Sequence, residues 1–304
     1  MKYVSFEFIE RLRMTLEQLR IFIAVAEREH LTQAAHALHL TPSAVSSAIR
    51  VLEERYMVAL FDRTGRRIEL TDAGRAFLVE AKATVARSQQ AELFLAEIGS
   101  LVRGSLTIQA SQTIASYWLP PVLMQLHAQH PGLDLRVAAA NTERVAGAVI
   151  EGAAEIGLVE GEVESVLLSQ QVVARDRLVI VARPDHPLAG RPNVARDELL
   201  AARWVLREPG SGTRSVLTSA LNAAPGEFAL ELTLPSNEAV RAAVRAGPFL
   251  GALSELIVQP DIESGRLVPL AFELPERNFV MLRHRERHRS KASLAFEALA
   301  KGQM

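Results

Sequence analysis

The sequence predicts a multidomain chain with a helical N-terminal third and an α/β C-terminal part. Over the first hundred residues, apolar side chains recur every three or four positions, which is the period of an amphipathic helix. A short Gly- and Ser-containing segment at 99–104 interrupts this pattern. Beyond it, short apolar runs alternate with helical stretches, an order typical of an α/β domain with a largely parallel sheet.

The composition is that of a folded protein, and it excludes several kinds of chemistry. The chain has 304 residues, of which 49% are hydrophobic and 23% are charged. It contains no cysteine, which excludes disulfides, thiolate zinc sites and cysteine nucleophiles. The sequence shows neither a secretory signal nor an apolar run long enough for a bilayer, so we expect a cytoplasmic protein. The net charge of −1 means that any DNA contact depends on locally placed basic residues.

Three helices and a hairpin are predicted after the first dozen residues. The first helix covers about 16–29, and the second begins at Thr32. Thr41 and Pro42 start the third, because Thr caps helix N-termini and Pro is favoured at the first helical position. Two short extended segments on either side of Gly65 then indicate a hairpin.

A long helix is predicted from Thr71-Asp72 to about Gly99. Small and apolar residues recur on it at alternating spacings of four and three, at Phe77, Ala81, Thr84, Ser88, Ala91, Leu95 and Ile98. This seam resembles a heptad repeat weakened by small and polar members. It favours a dimer-forming linker helix, with a helix that packs only within its own domain as the alternative.

The second and third helices have the pattern of a helix-turn-helix, and the basic hairpin after them has that of a wing. Ala35 stands where close helix packing needs a small side chain. In such modules the second helix enters the major groove of DNA. The candidate DNA-binding residues are Thr32, Gln33, Thr41, Ser43, Ala44, Ser46, Ser47, Arg50, Arg63, Thr64, Arg66 and Arg67. Periodicity alone leaves a plain three-helix domain with a solvated polar face as the alternative.

Six segments of this region resemble the LysR-type transcriptional regulators. They are Leu16–Phe22, Thr32–Ala35, Thr41–Ser46, Leu52-Glu53, Leu60–Arg63 and Leu70–Gly74. The resemblance continues through the α/β part and covers the chain from Met14 onward. It implies a winged helix-turn-helix, a linker helix that dimerises, and a two-lobed effector domain shaped like a periplasmic binding protein.

The resemblance also implies where the domains begin and end. Family members usually start at the position of Met14, so we expect 1–13 to be an extension or an upstream start-site choice. The predicted boundaries are 14–73 for the DNA-binding domain, 74–101 for the linker and dimerisation helix, and 104–304 for the effector-binding domain. Within the last, lobe 1 covers about 104–174 and 275–304, and lobe 2 covers about 175–274.

A Gly-rich loop at 207–214 lies between a predicted strand and a predicted helix. Gly residues let the backbone turn there, and the helix N-terminus offers unpaired N–H groups to an anion. Ligands of open α/β sheets bind at the carboxyl ends of strands, so other polar helix starts are expected to converge on this loop. The candidate effector-binding residues are Ser111, Thr113, Asn141, Thr142, Glu160, Arg207, Ser211, Gly212, Thr213 and Asn237. Ordinary helix capping is the alternative for each one alone.

The Gly-rich loop, together with Gly157–Gly161, resembles one branch of the family more narrowly. That branch includes regulators of sulfite-reductase and carbon-fixation operons, and it implies a small anionic effector: sulfite or sulfate, or a phosphorylated metabolite. One segment departs from the family, since a Gly-Leu-Gly-Ile-like turn is replaced by Gly247–Leu250. Pro248 removes a backbone N–H and Phe249 adds bulk, which leaves the pocket shape on that side undetermined.

The chain lacks the sequence signatures of common enzymes. There is no Gly-x-Ser-x-Gly elbow, no Walker loop and no His-Glu-x-x-His. Together with the resemblance to LysR-type regulators, this absence leads us to predict a transcriptional regulator, not an enzyme, with no cofactor or metal. Its expected partners are a dyad-symmetric operator in double-stranded DNA, a small anion, further copies of the chain in a dimer or tetramer, and RNA polymerase as a candidate, but no membrane. A solute sensor that does not bind DNA is the alternative, and a small-molecule enzyme is less favoured.

Overall fold

The computed structural model describes residues 14–64, 67–98, 104–224 and 226–302. The chain forms two compact units, which divide between Glu92 and Leu93. Within the described ranges, none of the helices is both long enough and apolar enough to cross a membrane.

The first unit consists of helices and one hairpin. Its elements are α1 (Leu16–Arg28), α2 (Leu31–Ala37), α3 (Pro42–Tyr56), β1 (Phe61–Thr64), β2 (Arg67–Leu70) and most of α4 (Asp72–Ile98). The predicted start of α3 is confirmed, because the Thr41 hydroxyl accepts a hydrogen bond from the Ala44 N–H at 3.2 Å and Pro42 is the first helical residue.

Phe22 of α1 lies at the centre of the first unit's core. Its ring centroid is 5.4 Å from that of Phe61 and 4.9 Å from that of Phe77, so α1, the hairpin and α4 share one aromatic cluster. Ala81 of α4 is also buried in this core. The N-terminal half of α4 is thus a core helix, whereas Leu95 further along is 69% exposed. Dimerisation through the predicted seam stays a prediction.

The second unit contains the remaining elements. They are β3 (Gly104–Ser111), a π-helical turn (Ile114–Trp118), α5 (Leu119–Gln129), β4 (Leu133–Ala140), α6 (Thr142–Glu151), β5 (Ile156–Glu160), β6 (Leu168–Ala182), α7 (Arg196–Ala201), β7 (Arg203–Arg207), α8 (Gly212–Ala220), β8 (Ala229–Leu234), α9 (Asn237–Ala246), β9 (Gly251–Ser254), α10 (Glu255–Glu263), β10 (Val268–Pro269), β11 (Glu276–His284) and α11 (Lys291–Lys301).

These elements form two lobes, each with strands covered by helices on both faces. In lobe 1, α5 and α11 pack on one face of β3 and β5, and α6 packs on the other. In lobe 2, α7 and α8 share one core with Trp204, and α9 and α10 share another with Val205. Strand β6 belongs to both lobes, because it pairs with β11 over 168–177 and with β9 over 178–181.

The expectation of a largely parallel sheet is wrong. β3 is parallel to β4 and β5, and β7 is parallel to β8. However, β11 is antiparallel to both β5 and β6, and β9 and β10 are antiparallel to β6. Strand–helix alternation holds inside each lobe, but the chain leaves lobe 1 along β6 and returns along β11. β6 and β11 therefore lie side by side between the lobes and run in opposite directions, so their pairing is antiparallel.

Several other elements differ from the sequence prediction. The apolar run from Leu178 to Ala182 predicts a strand that starts at Leu178, whereas β6 begins ten residues earlier, at Leu168. Polar or charged residues flank the short apolar segment Val172–Ala174 in this earlier part, so the sequence does not indicate a strand there. The sequence pattern over 114–129 predicts one continuous helix, whereas the structure has a π-helical turn followed by α5. Pro120 and Pro121 lack the N–H groups that would continue the first turn. The short elements α7, α10 and β10 are absent from the prediction.

Candidate functional sites

The helix-turn-helix is formed by α2 and α3. Ala34 and Ala35 are fully buried where these helices pack together. The turn between them places His39 in the left-handed region, with φ of 56°, and the Leu40 N–H donates to the Ala35 carbonyl at 2.9 Å. These local contacts hold α3 at a set angle to α2. That angle determines which side chains of α3 are exposed.

One face of α3 is buried and the opposite face carries the predicted DNA contacts. The buried stripe is Val45, Ile49 and Leu52. The candidates Thr32, Gln33, Thr41, Ser43, Ala44, Ser47 and Arg50 are exposed, and Ser46 is half-buried. The Arg50 guanidinium lies 3.6 Å from a carboxylate oxygen of Glu54 one turn away, an exposed pair that a phosphate can replace.

The hairpin carries the remaining candidate DNA-binding residues. Arg63 and Thr64 lie on β1 and Arg67 on β2, with Thr64 opposite Arg67. Arg66 lies outside the described residues. The arrangement is that of a wing beside the helix-turn-helix, as the sequence predicts.

Glu53 joins α3 to this hairpin, a role that sequence reasoning missed. One carboxylate oxygen, Oε1, accepts hydrogen bonds from the backbone N–H groups of Leu60 at 2.8 Å and Phe61 at 3.1 Å. Both donors are partly buried, so without Glu53 they would lose these bonds in a poorly hydrated place. The carboxylate therefore sets the position of the wing relative to α3.

We expect Glu53→Ala to destabilise the hairpin by about 1–3 kcal/mol, because it leaves two backbone donors unsatisfied. Amide hydrogen exchange of peptides covering 52–64 measures this opening free energy. Glu54→Ala is the matched control, because Glu54 is its exposed neighbour on the same helix. Equal exchange rates in the two variants would show that Glu53 does not hold the wing.

In the second unit, the two lobes touch directly at the starts of their helices. The Gln112 side chain of lobe 1 donates to the Pro235 carbonyl and accepts from the Asn237 N–H, both at 2.9 Å. The Tyr117 hydroxyl donates to Glu238 at 2.6 Å. Burial and the hydrogen bond to Glu238 raise the pKa of Tyr117 to about 12, so the phenol keeps the proton that it donates. The lobes are thus held closed by paired polar groups.

Arg277 stands at the crossing point between the lobes. Its guanidinium is 2.6 Å from Asp176, the residue opposite it on β6. The same group donates to the Thr213 hydroxyl of lobe 2 at 3.0 Å and to the Thr113 hydroxyl of lobe 1 at 3.5 Å. Glu160 completes the group, with one carboxylate oxygen 4.0 Å from the guanidinium. All five side chains are buried, so these charges act in a poorly screened place.

A second buried arginine, Arg207, holds the lobe 2 side. It forms two hydrogen bonds of 2.8 Å to Glu208 and one of 2.7 Å to the Asn237 amide oxygen. The Asn237 amide then donates to the Thr113 hydroxyl at 3.0 Å. Burial alone would raise the pKa of Glu208, but hydrogen bonds from Arg207 and Asn141 lower it overall. Glu208 therefore stays charged and keeps Arg207 neutralised.

Helix capping explains some of the polar helix starts but not all of them. The Asn141 side chain caps α6 by accepting a hydrogen bond from the Arg144 N–H at 3.0 Å, so the capping alternative applies to this residue. Ser211 precedes α8 and is 3% exposed, yet its side chain makes no capping bond. The hydroxyl oxygens of Ser111 and Thr142 are buried and have no hydrogen-bond partner among the described residues. Unsatisfied buried hydroxyls are costly, which marks these two as groups that a ligand can satisfy.

Gly212 lies at a close approach between the two lobes. A Cβ atom at this position would be 2.7 Å from the Thr142 hydroxyl and 2.9 Å from the Glu160 backbone oxygen. Both distances are shorter than real Cβ contacts, so glycine is required for α8 to come this near to lobe 1. The first turn of α8 thereby faces the unpartnered Thr142 hydroxyl.

All ten candidate effector residues lie at strand ends or helix starts of the second unit. Seven of them meet where the two lobes touch, which we call the gap: Thr113, Thr142, Glu160, Arg207, Gly212, Thr213 and Asn237. Sequence reasoning missed Arg277 and Asp176. Asp176 is flanked by two arginines and Arg277 precedes an apolar run, so each has the sequence surroundings of a surface residue. Only the pairing of β6 with β11 brings them together at the gap.

An open groove of about 880 Å³ adjoins the gap, between α6 and α8.

The unusual Gly247–Leu250 segment does not line this groove. The Phe249 ring packs against the second core of lobe 2, with the Arg203 guanidinium 5.1 Å from its centroid. Its added bulk is therefore accommodated by lobe 2 and by Arg203.

Two family models match almost all of the chain. The LysR substrate binding domain matches residues 99–304, and the bacterial regulatory helix-turn-helix protein model, lysR family, matches residues 16–75. The chain is 34% identical to the uncharacterized HTH-type transcriptional regulator YeiE of Escherichia coli K12, over 94% of this chain and 96% of that protein. It is 31% identical to the RuBisCO operon transcriptional regulator of Allochromatium vinosum, over 94% and 95%.

A solved structure also resembles the second unit. It is the regulatory domain of CcmR from Synechocystis PCC6803 in complex with 2-PG, with a TM-score of 0.60 and 24% identity. The match covers 66% of this chain and 97% of that one. At this identity the likeness concerns the fold, which is the same two-lobed α/β regulatory domain.

Proposed function

Since the chain belongs to the LysR family of DNA-binding transcriptional regulators, we propose that it controls transcription in response to a small anion held between its two lobes. The matched families and relatives are regulators, so the chain is a regulator and not an enzyme. The proposed effector is sulfite- or sulfate-like, or a phosphorylated metabolite. The observation that carries this proposal is the buried Thr142 hydroxyl, which has no partner among the described residues and faces the uncapped start of α8. The buried Ser111 hydroxyl at the end of β3 also has no partner among the described residues.

The chemistry of the gap suits an oxyanion. Hydroxyls donate to anionic oxygens, and the first N–H groups of α8 carry the positive end of the helix dipole. The 2-PG complex of the CcmR regulatory domain supports ligand binding by a domain of this fold. The candidate contacts are Ser111, Thr113, Thr142, Ser211 and Thr213, while Asn141, Arg207 and Asn237 position them.

For the DNA-binding function, we assign the exposed face of α3 to the major groove and the hairpin to the flanking backbone or minor groove. Residues 14–73 form this module in our proposal, and residues 74–101 join two copies of it on a dyad-symmetric operator. A dimer or tetramer of the chain, with RNA polymerase as a further partner, would act in the cytoplasm.

The effector and the operator would be coupled through closure of the lobes. An anion that binds the closed arrangement more tightly than an open one shifts the population toward closure. If the operator also distinguishes the two arrangements, each ligand changes the affinity for the other by the same factor. The crossover strands β6 and β11, with the Asp176–Arg277 pair, are the elements about which closure takes place.

A thermal-shift panel of sulfite, sulfate, phosphate and sugar phosphates on the full chain tests the proposal. At about 100 times its Kd, a true effector stabilises the folded protein by about 2.7 kcal/mol. Ser211→Leu is expected to abolish the shift, and Ser264→Leu, an exposed position of lobe 2 outside the groove, is the control. Stabilisation by an uncharged compound and by none of the anions would refute the anionic effector.

A further inference from the structure

We infer that the N-terminal segment 1–13 covers an apolar pocket beside the hairpin, with Phe6 and Phe8 as its anchoring side chains. The pocket belongs to the first unit, and the segment lies outside the described residues. This inference goes beyond the proposed function, because it concerns neither the operator nor the effector.

The first argument is the chemistry of the pocket. It has a volume of about 280 Å³ and lies between the end of α3, the segment before β1 and the start of α4. Its lining is apolar or aromatic: Met14, Leu52, Tyr56, Val58, Leu60, Ala73 and Phe77. Small-molecule sites add several polar groups that orient the ligand, whereas the side chains of this lining offer only the Tyr56 hydroxyl. The pocket is therefore suited to an apolar side chain.

The second argument is the exposure of the pocket's rim. Tyr56 is 51% exposed and Val58 is 41% exposed, and Met57 between them is exposed as well. Covering apolar surface stabilises a protein by about 25 cal/mol for each Å² removed from water. Exposed apolar side chains that are grouped in this way mark a surface to which another apolar group binds.

The third argument is the point at which the N-terminal segment joins the described chain. Met14 is the first described residue and itself lines the pocket, so residues 1–13 connect to the folded unit at the pocket. A short tether of this kind gives an effective concentration on the order of millimolar. Even a weak apolar contact is then well populated, which favours this segment over a separate molecule.

The fourth argument is the composition of the segment. Tyr3, Phe6 and Phe8 make three of its thirteen residues aromatic, whereas aromatic residues are 5% of the whole chain. Segments that remain solvated contain few aromatic residues. Phe6 and Phe8 are fully apolar, unlike Tyr3, and therefore match the pocket lining best. A phenyl ring in the pocket would contact both α3 and the segment before β1, so the N-terminal segment would help to hold the hairpin against α3.

Single-cysteine labelling of the full chain tests this, because the chain has no cysteine of its own. Val58→Cys places a thiol in the pocket lining, and its rate of reaction with a water-soluble maleimide measures whether the pocket is covered. We expect this rate to be at least about tenfold slower than in a chain that also carries Phe6→Ser and Phe8→Ser, which corresponds to about 1.4 kcal/mol. Intact mass verifies beforehand that residues 1–13 are present.

Two controls isolate the apolar contact. Val79→Cys, an exposed position on α4 outside the pocket, should react at the same rate with and without the two phenylalanine substitutions. Glu7→Ser together with Glu10→Ser, in the same N-terminal segment, should leave the labelling of Val58→Cys slow. Ala73→Cys, another position in the pocket lining, is the second reporter should the Val58→Cys variant not fold.

Equal labelling of Val58→Cys with and without the phenylalanine substitutions would overturn the inference. A shared slow rate that rises on dilution would identify a second copy of the chain as the occupant, and a shared fast rate would show that the pocket is uncovered. None of these outcomes bears on DNA binding or effector binding, so the proposed function is tested separately.

Discussion

Gly212→Ala is expected to weaken binding of an anionic effector at least tenfold, about 1.4 kcal/mol. The new methyl group would lie 2.7 Å from the Thr142 hydroxyl and 2.9 Å from the Glu160 backbone oxygen, so the lobes can no longer close around the ligand. The loss is measured as the decrease in ligand-induced thermal stabilisation, or directly by titration calorimetry.

The matched control is Gly147→Ala on α6. A Cβ at Gly147 meets no described atom within 4 Å, so the same chemical change there should leave effector binding intact. DNA binding in the absence of effector should persist in both variants, because both positions lie in the second unit. Unchanged effector affinity in Gly212→Ala would mean that the ligand binds away from the start of α8.

Ser47→Glu is expected to lower operator affinity at least 100-fold. Ser47 is on the exposed face of α3, where the proposal places DNA, and a carboxylate facing phosphates or base edges costs several kcal/mol. Fluorescence anisotropy with a labelled operator fragment measures the change. Effector-induced thermal stabilisation should be retained, because the effector domain is untouched.

Gln18→Glu provides the control with the same charge change in the same domain. Gln18 is part of the capping box of α1, and glutamate fills that role as well as glutamine does. Operator affinity should therefore change little. If both variants lose binding equally, the effect is one of overall charge and α3 is not the recognition helix.

How far the sequence predicts this molecule depends on whether a feature is local. The helices of the first unit follow from the 3–4 apolar spacing and from the Thr41-Pro42 start, both of which act within a few residues. The parallel strand–helix units of each lobe are also predictable. The antiparallel pairing of β6 with β11 is not, because it joins segments about a hundred residues apart and the first half of β6 contains only a short apolar segment between polar residues.

The candidate effector site also contains some residues that local sequence signals predict and others that only the tertiary structure reveals. Ser111, Ser211 and Thr213 are found from polar residues at helix starts, a local signal. Whether such a residue caps its helix or faces a ligand depends on side-chain geometry, and Asn141 caps while Ser211 does not. Arg277 and Asp176 are recognisable only once the two crossover strands are side by side.

The most direct test of the central claim is a footprint of the full chain on the DNA upstream of its own gene and its neighbour, with and without phosphate. We predict protection of a dyad-symmetric site, lost steeply as salt rises, and an affinity or protected length that changes when the anion is added. Absence of a protected site would contradict the DNA-binding role. Protection unaffected by phosphate, sulfate, sulfite and phosphate esters would contradict control by an anion between the lobes.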